Sequence, residues 1–223
     1  TQKLNKISLR VKSGQTTGIA GVSGNGQNLL ADVVAGLVEL DEGSLSIDGQ
    51  QIGTFSPAEM VRRGVARIPE DRQSEGLVGD MTVTENLISE SYRSSRFSQF
   101  GIINWNRARK FALQVIDDYA VKCPGPEAPV RQLSGGNMQK LILGRVMSNK
   151  PVVILANQPT RGLDVGAVKY VHEQLLTARS RGAAILLISE DLDELFSLSD
   201  EICVMYRGQL SEPIVREETT ISQ

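Results

Sequence analysis

The sequence predicts an α/β fold with a mixed central sheet, a small antiparallel β region and an inserted helical subdomain. Three observations carry that prediction. Apolar runs at residues 151–156 and 183–188, with a third stretch at 17–22, have the length of strands buried on both faces. The stretch at 17–22 runs into Gly21, Gly24 and Gly26 and then into a helical pattern through Leu29, Leu30, Val33, Val34 and Leu37. Strand, glycine-rich loop and helix in that order make a phosphate-loop candidate. From residue 82 to about 147 the pattern turns from strand-bearing to helical, which marks the insertion.

Length and composition narrow the classes. At 223 residues the chain can bury a real core and reads as one larger domain with an inserted lobe. A formal charge of -2 leaves no surplus of cations to replace counterions along a nucleic acid, so no nucleic-acid partner is expected. The densest basic clusters, Arg62-Arg63 and Arg107 through Lys110, are short. No apolar run has bilayer-spanning length and no leader-like segment opens the chain, which predicts a soluble molecule. The start at Thr1 on a strand-like stretch predicts a piece of a longer polypeptide. Cys123 and Cys203 lie far apart without ligand-type neighbours, and the single histidine, His172, reads as an ordinary helical residue. Packing is the role expected of the cysteines, and no metal site is expected within this chain.

In chain order, Leu4, Ile7, Leu9 and Val11 alternate with mostly polar residues and predict a strand over 4–11, turned at Gly14 into the central strand. Ser44 through Gly49 form a short alternating strand closed by an Asp-Gly turn. Ser56 caps, and Pro57 opens, a helix running to Arg63. Val65–Ile68 is a strand leading into Pro69-Glu70-Asp71-Arg72, where Asp71 and Arg72 read as a solvated turn. Thr82 or Thr84 caps the next helix, with Glu85 placed to complete a capping box with Thr82. A polar connector spans 91–104, and Ala108, Phe111, Ala112, Val115, Ile116 and Tyr119 then recur at helical spacing. Cys123-Pro124-Gly125-Pro126 ends any helix.

Residues 133–140, Leu-Ser-Gly-Gly-Asn-Met-Gln-Lys, open a further helix running to about Met147. A helix from about Val165 to Arg179, closing strands at 201–206 and 208–212, and a charged tail after Pro213 complete the chain. On this reading 82–147 is the helical subdomain, while 1–81 and 148–223 form the core and the antiparallel β region.

Ser134, Gly135 and Gly136 aim free amides and the positive end of a helix dipole at whatever lies ahead, a place for a phosphate. Glycines at a helix start also serve plain turns, and Ser134 also suits a plain cap. As a string, residues 133–140 resemble the signature motif of ABC-transporter ATPases. The resemblance spans nearly the whole chain, through GIAGVSGNGQ, IPEDR followed by GLV, PGPEAPVRQLSGGNMQK, QPTRGLDVGA and ISEDLDE, in order. It implies the ABC-type P-loop NTPase fold. More narrowly it is similar to the second, carboxy-terminal nucleotide-binding half of the double ATPase subunit of nucleoside and simple-sugar importers. In that family two halves pair head to tail, and each nucleotide lies between one half's phosphate loop and the other half's signature.

Against the family pattern the charged positions of the chain's own site depart one by one. Lysine and serine or threonine after the loop's last glycine are here Gln27 and Asn28. Glu70 replaces the glutamine that senses metal and water, and Asn157 and Gln158 replace the aspartate and glutamate that end the central strand. Glu190 stands where a histidine contacts the γ-phosphate. Residues lent to a partner site match the family: Ser134, Gly135, Gly136, Gln139 and Asp164.

The resemblance therefore implies a half that completes its partner's ATP and magnesium site, binds nucleotide weakly or not at all by itself, and is inactive or very weak alone. It implies as partners the amino-terminal half of the same subunit, membrane permease subunits and, indirectly, an extracellular binding lipoprotein, with the protein peripheral to the cytoplasmic face of a bacterial membrane. Two other readings stay open: a competent ATPase domain of a sugar importer, and a soluble non-transport ABC protein.

Overall fold

The apolar runs become the middle of one sheet. The structure, a computed structural model, describes residues 3–215. Within it the chain divides into two packed units: one holds the described residues up to Arg67, Lys150–Pro159 and those from His172 onward, and the other holds Ile68–Asn149 and Thr160–Val171.

The first unit begins with strand β1 (Thr16–Ala20), helix α1 (Gln27–Val34), the hairpin strands β2 (Ser46–Ile47) and β3 (Gln50–Gln51), helix α2 (Pro57–Arg62) and strand β4 (Val65–Ile68). Asp48 and Gly49 take φ of 53° and 73°, the two positive angles that a two-residue hairpin turn needs. Ser56 accepts from the Glu59 amide, with Pro57 at the first helical position. Residues 4–11 do not form the expected strand. Lys6 takes φ of 51°, which breaks the extended run, and Leu4, Ile7, Leu9 and Val11 instead pack against the core cluster of Ile19, Leu30, Leu155, Leu186 and Cys203.

In the second unit helix α3 (Val83–Ile88) is capped by Thr82 in a full capping box with Glu85, while Thr84 donates to the Pro126 carbonyl at 2.9 Å. The connector over 91–104 contains a hairpin that the polar sequence hides, β5 (Ser98–Gln99) and β6 (Ile102–Ile103), turned at Phe100 and Gly101 with positive φ. Helix α4 (Trp105–Asp118) buries Ala108, Phe111, Ala112 and Val115, the face its spacing predicts. It packs on helix α5 (Gly135–Ser148), where a Cβ on Gly144 would come 2.5 Å from Val115. Leu141, Ile142, Leu143 and Val146 are fully buried, so α5 is the axis of this unit.

Strand β7 (Val153–Asn157), helix α6 (Val165–Ser180), strand β8 (Ala184–Ile188), helix α7 (Leu192–Leu198) and strands β9 (Glu201–Tyr206), β10 (Gln209–Leu210) and β11 (Ile214–Val215) follow. The sheet runs β10-β9-β1-β8-β7-β4, with β11 also on β9. Its centre is parallel (β1 with β8 and β9, β7 with β8), and β10 and β11 are antiparallel to β9, so the sheet is mixed. Helix α7, which the sequence reading omits, starts at Asp191, whose carboxylate accepts from the Asp193 and Glu194 amides. The charged tail expected after Pro213 enters β11 and then lies outside the described residues.

Cys203 is buried in the core, and burial, with Glu201 and Glu212 adding, pushes its thiol up to about 11, as a packing role requires. His172 sits with Nε2 3.0 Å from the carboxylate of buried Glu194. Among the described residues no helix is long and apolar enough to cross a membrane.

Candidate functional site

The candidate residues fall in two groups, one in each unit. In the first unit the glycine-rich loop leaves β1 at Ala20 and enters α1 at Gln27. Gly21, Gly24 and Gly26 take φ of 150°, 89° and 116°. Close packing also demands glycine: a Cβ on Gly21 would lie 2.6 Å from the Met205 carbonyl, and one on Gly26 would lie 3.3 Å from Leu4. Gly26 caps α1 without a side-chain hydrogen bond, and the first turn carries no acidic residue. The loop thus takes the glycine conformations that its sequence calls for.

Its side chains are turned onto the loop itself. Gln27 is only 6% exposed. Its Nε2 donates to the Val22 carbonyl at 3.0 Å, and its Oε1 accepts from the Asn25 amide at 3.2 Å. Asn25 Nδ2 donates to the same Val22 carbonyl at 2.8 Å. Where a lysine would place a mobile cation, a neutral amide laces the loop together.

The strand ends continue this pattern. Asn157, buried at the end of β7, donates from Nδ2 to Asn28 Oδ1 at 3.3 Å. Asn157 Oδ1 is buried with no hydrogen-bond partner. Gln158, at φ of 48°, accepts from the Glu190 amide at 3.3 Å through Oε1, and the Glu190 carboxylate accepts from the Ser23 hydroxyl. A divalent cation prefers carboxylate oxygens, and here amides stand at the strand end and after the loop. Among the described residues no cluster of histidine, cysteine, aspartate or glutamate suits a metal. The donor set of this group does not fit magnesium.

The second group lies in the other unit. Ser134 stands at the N-cap of α5, yet its hydroxyl makes no capping hydrogen bond. Instead Asn137 Nδ2 donates to Ser134 Oγ at 2.8 Å, while Asn137 Oδ1 accepts from the Lys122 amide at 2.8 Å. The serine oxygen is thus fixed as an acceptor, and its hydrogen is left to donate. No acidic residue occupies the first turn of α5, so the positive end of the dipole is not neutralised there. Gly135 and Gly136 follow without positive φ, and a Cβ on Gly136 would meet only Ala167, at 4.0 Å. Gln139, on α5, is 2% exposed.

The loop over 160–164 closes on the same unit. Gly162 takes φ of 67°, and Asp164 Oδ1 accepts from the Ala167 amide at 3.0 Å, capping α6. Glu70 is ion-paired with Arg161. Asp71 and Arg72, expected as a solvated turn, are tied down. Asp71 caps a π-helical turn at Arg72–Gly76, and hydrogen bonds from the Ser74 side chain, then from the Ser74 and Gln73 amides, hold its carboxyl below the usual range. Arg72 donates to the carbonyls of Arg161 at 3.0 Å and Gly162 at 3.3 Å. No local pattern could reveal Arg72, because its acceptors lie about ninety residues away. Asn137 sits inside the signature string three residues after Ser134, the spacing of a capping pair, and Asp191 is followed three residues later by Glu194, a helix-start signal.

The model of the ABC transporter family matches residues 4–161. The chain is 40% identical over 219 residues to the guanosine import ATP-binding protein NupO of Bacillus subtilis, covering 98% of this chain and 43% of that protein. It is 41% identical over 211 residues to the glucose import ATP-binding protein TsgD13 of Haloferax volcanii, covering 94% of this chain and 38% of that protein. The chain thus spans less than half the length of these curated relatives. Among solved structures, a nucleotide-free ATP-binding cassette from an ABC transporter superposes with a TM-score of 0.79 at 23% identity, covering 99% of this chain and 89% of that one. That likeness concerns the fold.

Proposed function

The chain belongs to the ABC transporter family of ATP-binding proteins, and from that premise we propose that it is the second nucleotide-binding half of an importer's ATP-binding subunit, one that completes its partner's active site without hydrolysing ATP at its own. The observation that carries this is the sorting of side chains. The charged and metal-facing positions that the chain would use on its own nucleotide depart from the family pattern: Gln27, Asn28, Glu70, Asn157, Gln158 and Glu190. The groups lent across a head-to-tail pair are intact: Ser134, Gly135, Gly136, Gln139 and Asp164. Random loss would not separate residues by the site they serve.

In this reading ATP and magnesium are held by the amino-terminal half of the same subunit. Ser134 donates its hydroxyl hydrogen to the γ-phosphate, and the first amides of α5 stabilise charge there. Gln139, buried on α5, belongs to the same set, and Asp164 sets the loop that crosses to the partner. The segment 82–147 is the helical subdomain that carries the signature. The transported solute is a nucleoside or a simple sugar, in keeping with the names of the relatives. The subunit works with permease subunits and a binding lipoprotein at the cytoplasmic face of the membrane.

The test is steady-state ATP turnover of this chain alone against the complete two-half subunit. Turnover confined to the complete subunit is expected. Turnover by the lone chain equal to that of the full subunit would establish the competing reading, a self-sufficient ATPase domain.

A further inference from the structure

We infer that Arg72 is a positioning residue that locks the signature helix and the crossing loop into one rigid donor surface; the inference rests on the function proposed above. Its guanidinium serves two elements of the second unit. Nη1 and Nη2 donate to the carbonyls of Arg161 and Gly162, at 3.0 and 3.3 Å. The same group lies across the start of α5, where a Cβ on Gly135 would come 3.4 Å from Arg72 Nε and 3.5 Å from Nη2. Only a side chain with several donors in a fixed planar fork can hold two successive carbonyls while its face covers a glycine.

The anchor of this arm is rigid. The π-helical turn Arg72–Gly76 is capped by Asp71 and clamped to α5 at its far end. A Cβ on Gly76 would lie 2.7 Å from Ile142, and Arg145 Nη2 donates to the Gly76 carbonyl at 2.9 Å. Arg145 is itself 6% exposed and sits 3.3 Å from Glu90. One residue before this turn's cap, Glu70 pairs with Arg161, so the segment grips the crossing loop by a side chain and by two carbonyls. Residues 70–76 therefore join the beginning of α5, its middle and the loop at 160–164. Two groups that must reach one nucleotide together gain from a fixed separation, since a misplacement of about 1 Å costs about 10²-fold in rate.

The experiment uses the complete two-half subunit with Arg72→Gln, Arg72→Lys and, as reference, Ser134→Arg. Arg72→Gln is expected to lower kcat by about tenfold to hundredfold, with KM for ATP within about twofold because the partner half holds the nucleotide. Arg72→Lys, able to reach one carbonyl, should recover part of kcat. Hydrogen exchange of the peptide covering 160–167 should quicken in Arg72→Gln while peptides of the first unit keep their protection. Unchanged kcat in Arg72→Gln, with Ser134→Arg inactive, overturns the role of Arg72 and leaves the proposed function standing. Unchanged kcat in both overturns the proposed function as well. A fall in kcat without faster exchange at 160–167 also overturns the positioning role.

Discussion

Two glycine-rich helix starts in this molecule have met opposite fates. At the start of α1 the loop glycines take positive φ, and Gln27 and Asn25 donate their side-chain amides to the loop's own Val22 carbonyl. At the start of α5 no side chain caps the helix, and Asn137 turns the Ser134 hydroxyl into a free donor. In both places glycine sets the backbone, while the neighbouring amide side chains decide which polar groups stay available. At Gly21 and Gly26 the nearness of Met205 and Leu4 leaves little room for a side chain. Chemistry depends on a few side chains, and those are free to be reassigned.

Ser134→Arg is the largest expected break in this contrast. It fills the donor position at the α5 start with a bulky cation and should cut turnover of the complete subunit by at least about 10³-fold, the scale of losing a charge-stabilising donor. Unchanged turnover would mean that the α5 start meets no phosphate.

Paired glycine substitutions sharpen it further. Gly26→Ala meets a φ of 116° and a contact at 3.3 Å, so it should destabilise the chain by about 1–3 kcal/mol while turnover of the folded complete subunit is kept. Gly135→Ala has no positive φ and meets Arg72 only at ordinary contact distance, so it should change stability by less than about 0.5 kcal/mol, yet lower turnover several-fold by putting a methyl group at the α5 start where a phosphate would approach. Chemical denaturation and ATPase assays together separate the two effects. A reversal, with Gly26 governing turnover and Gly135 governing stability, would contradict the division of roles.

Much of the local structure was legible. The Ser56-Pro57 helix start, the Thr82-Glu85 capping box, the Asp48-Gly49 hairpin turn and the buried face of α4 follow from chemistry within a few residues. What was not legible depends on distance or on a single dihedral angle. Lys6 turns an alternating strand pattern into a packed segment through one positive φ. The β5-β6 hairpin forms in a polar run without a strand pattern, turned at Phe100, a residue type with no preference for positive φ. Arg72 looked like solvent because its acceptors arrive from the other end of the second unit's sequence. The site residues were named by motif, but the Gln27 closure and the Asn28-Asn157 pair needed coordinates.

The smallest expected effect concerns Asp71. Its folded carboxyl titrates below the usual value, so the stabilisation it gives the π-helical turn is present above the ordinary aspartate range and is lost as pH falls through the lowered value. Hydrogen exchange at 72–76 in the wild type, referenced to Asp71→Asn, should show extra protection at neutral pH that disappears only in acid. Equal exchange in the two proteins at neutral pH would remove Asp71 as the anchor of the Arg72 arm.

The most direct measurement is equilibrium binding of magnesium-ATP to the complete two-half subunit. One tight nucleotide per subunit is predicted, held by the partner's loop and lost in affinity when that loop, not Gln27, is altered. Two sites of equal affinity, with the second abolished by disrupting the Gly21–Asn28 loop of this chain, would contradict it.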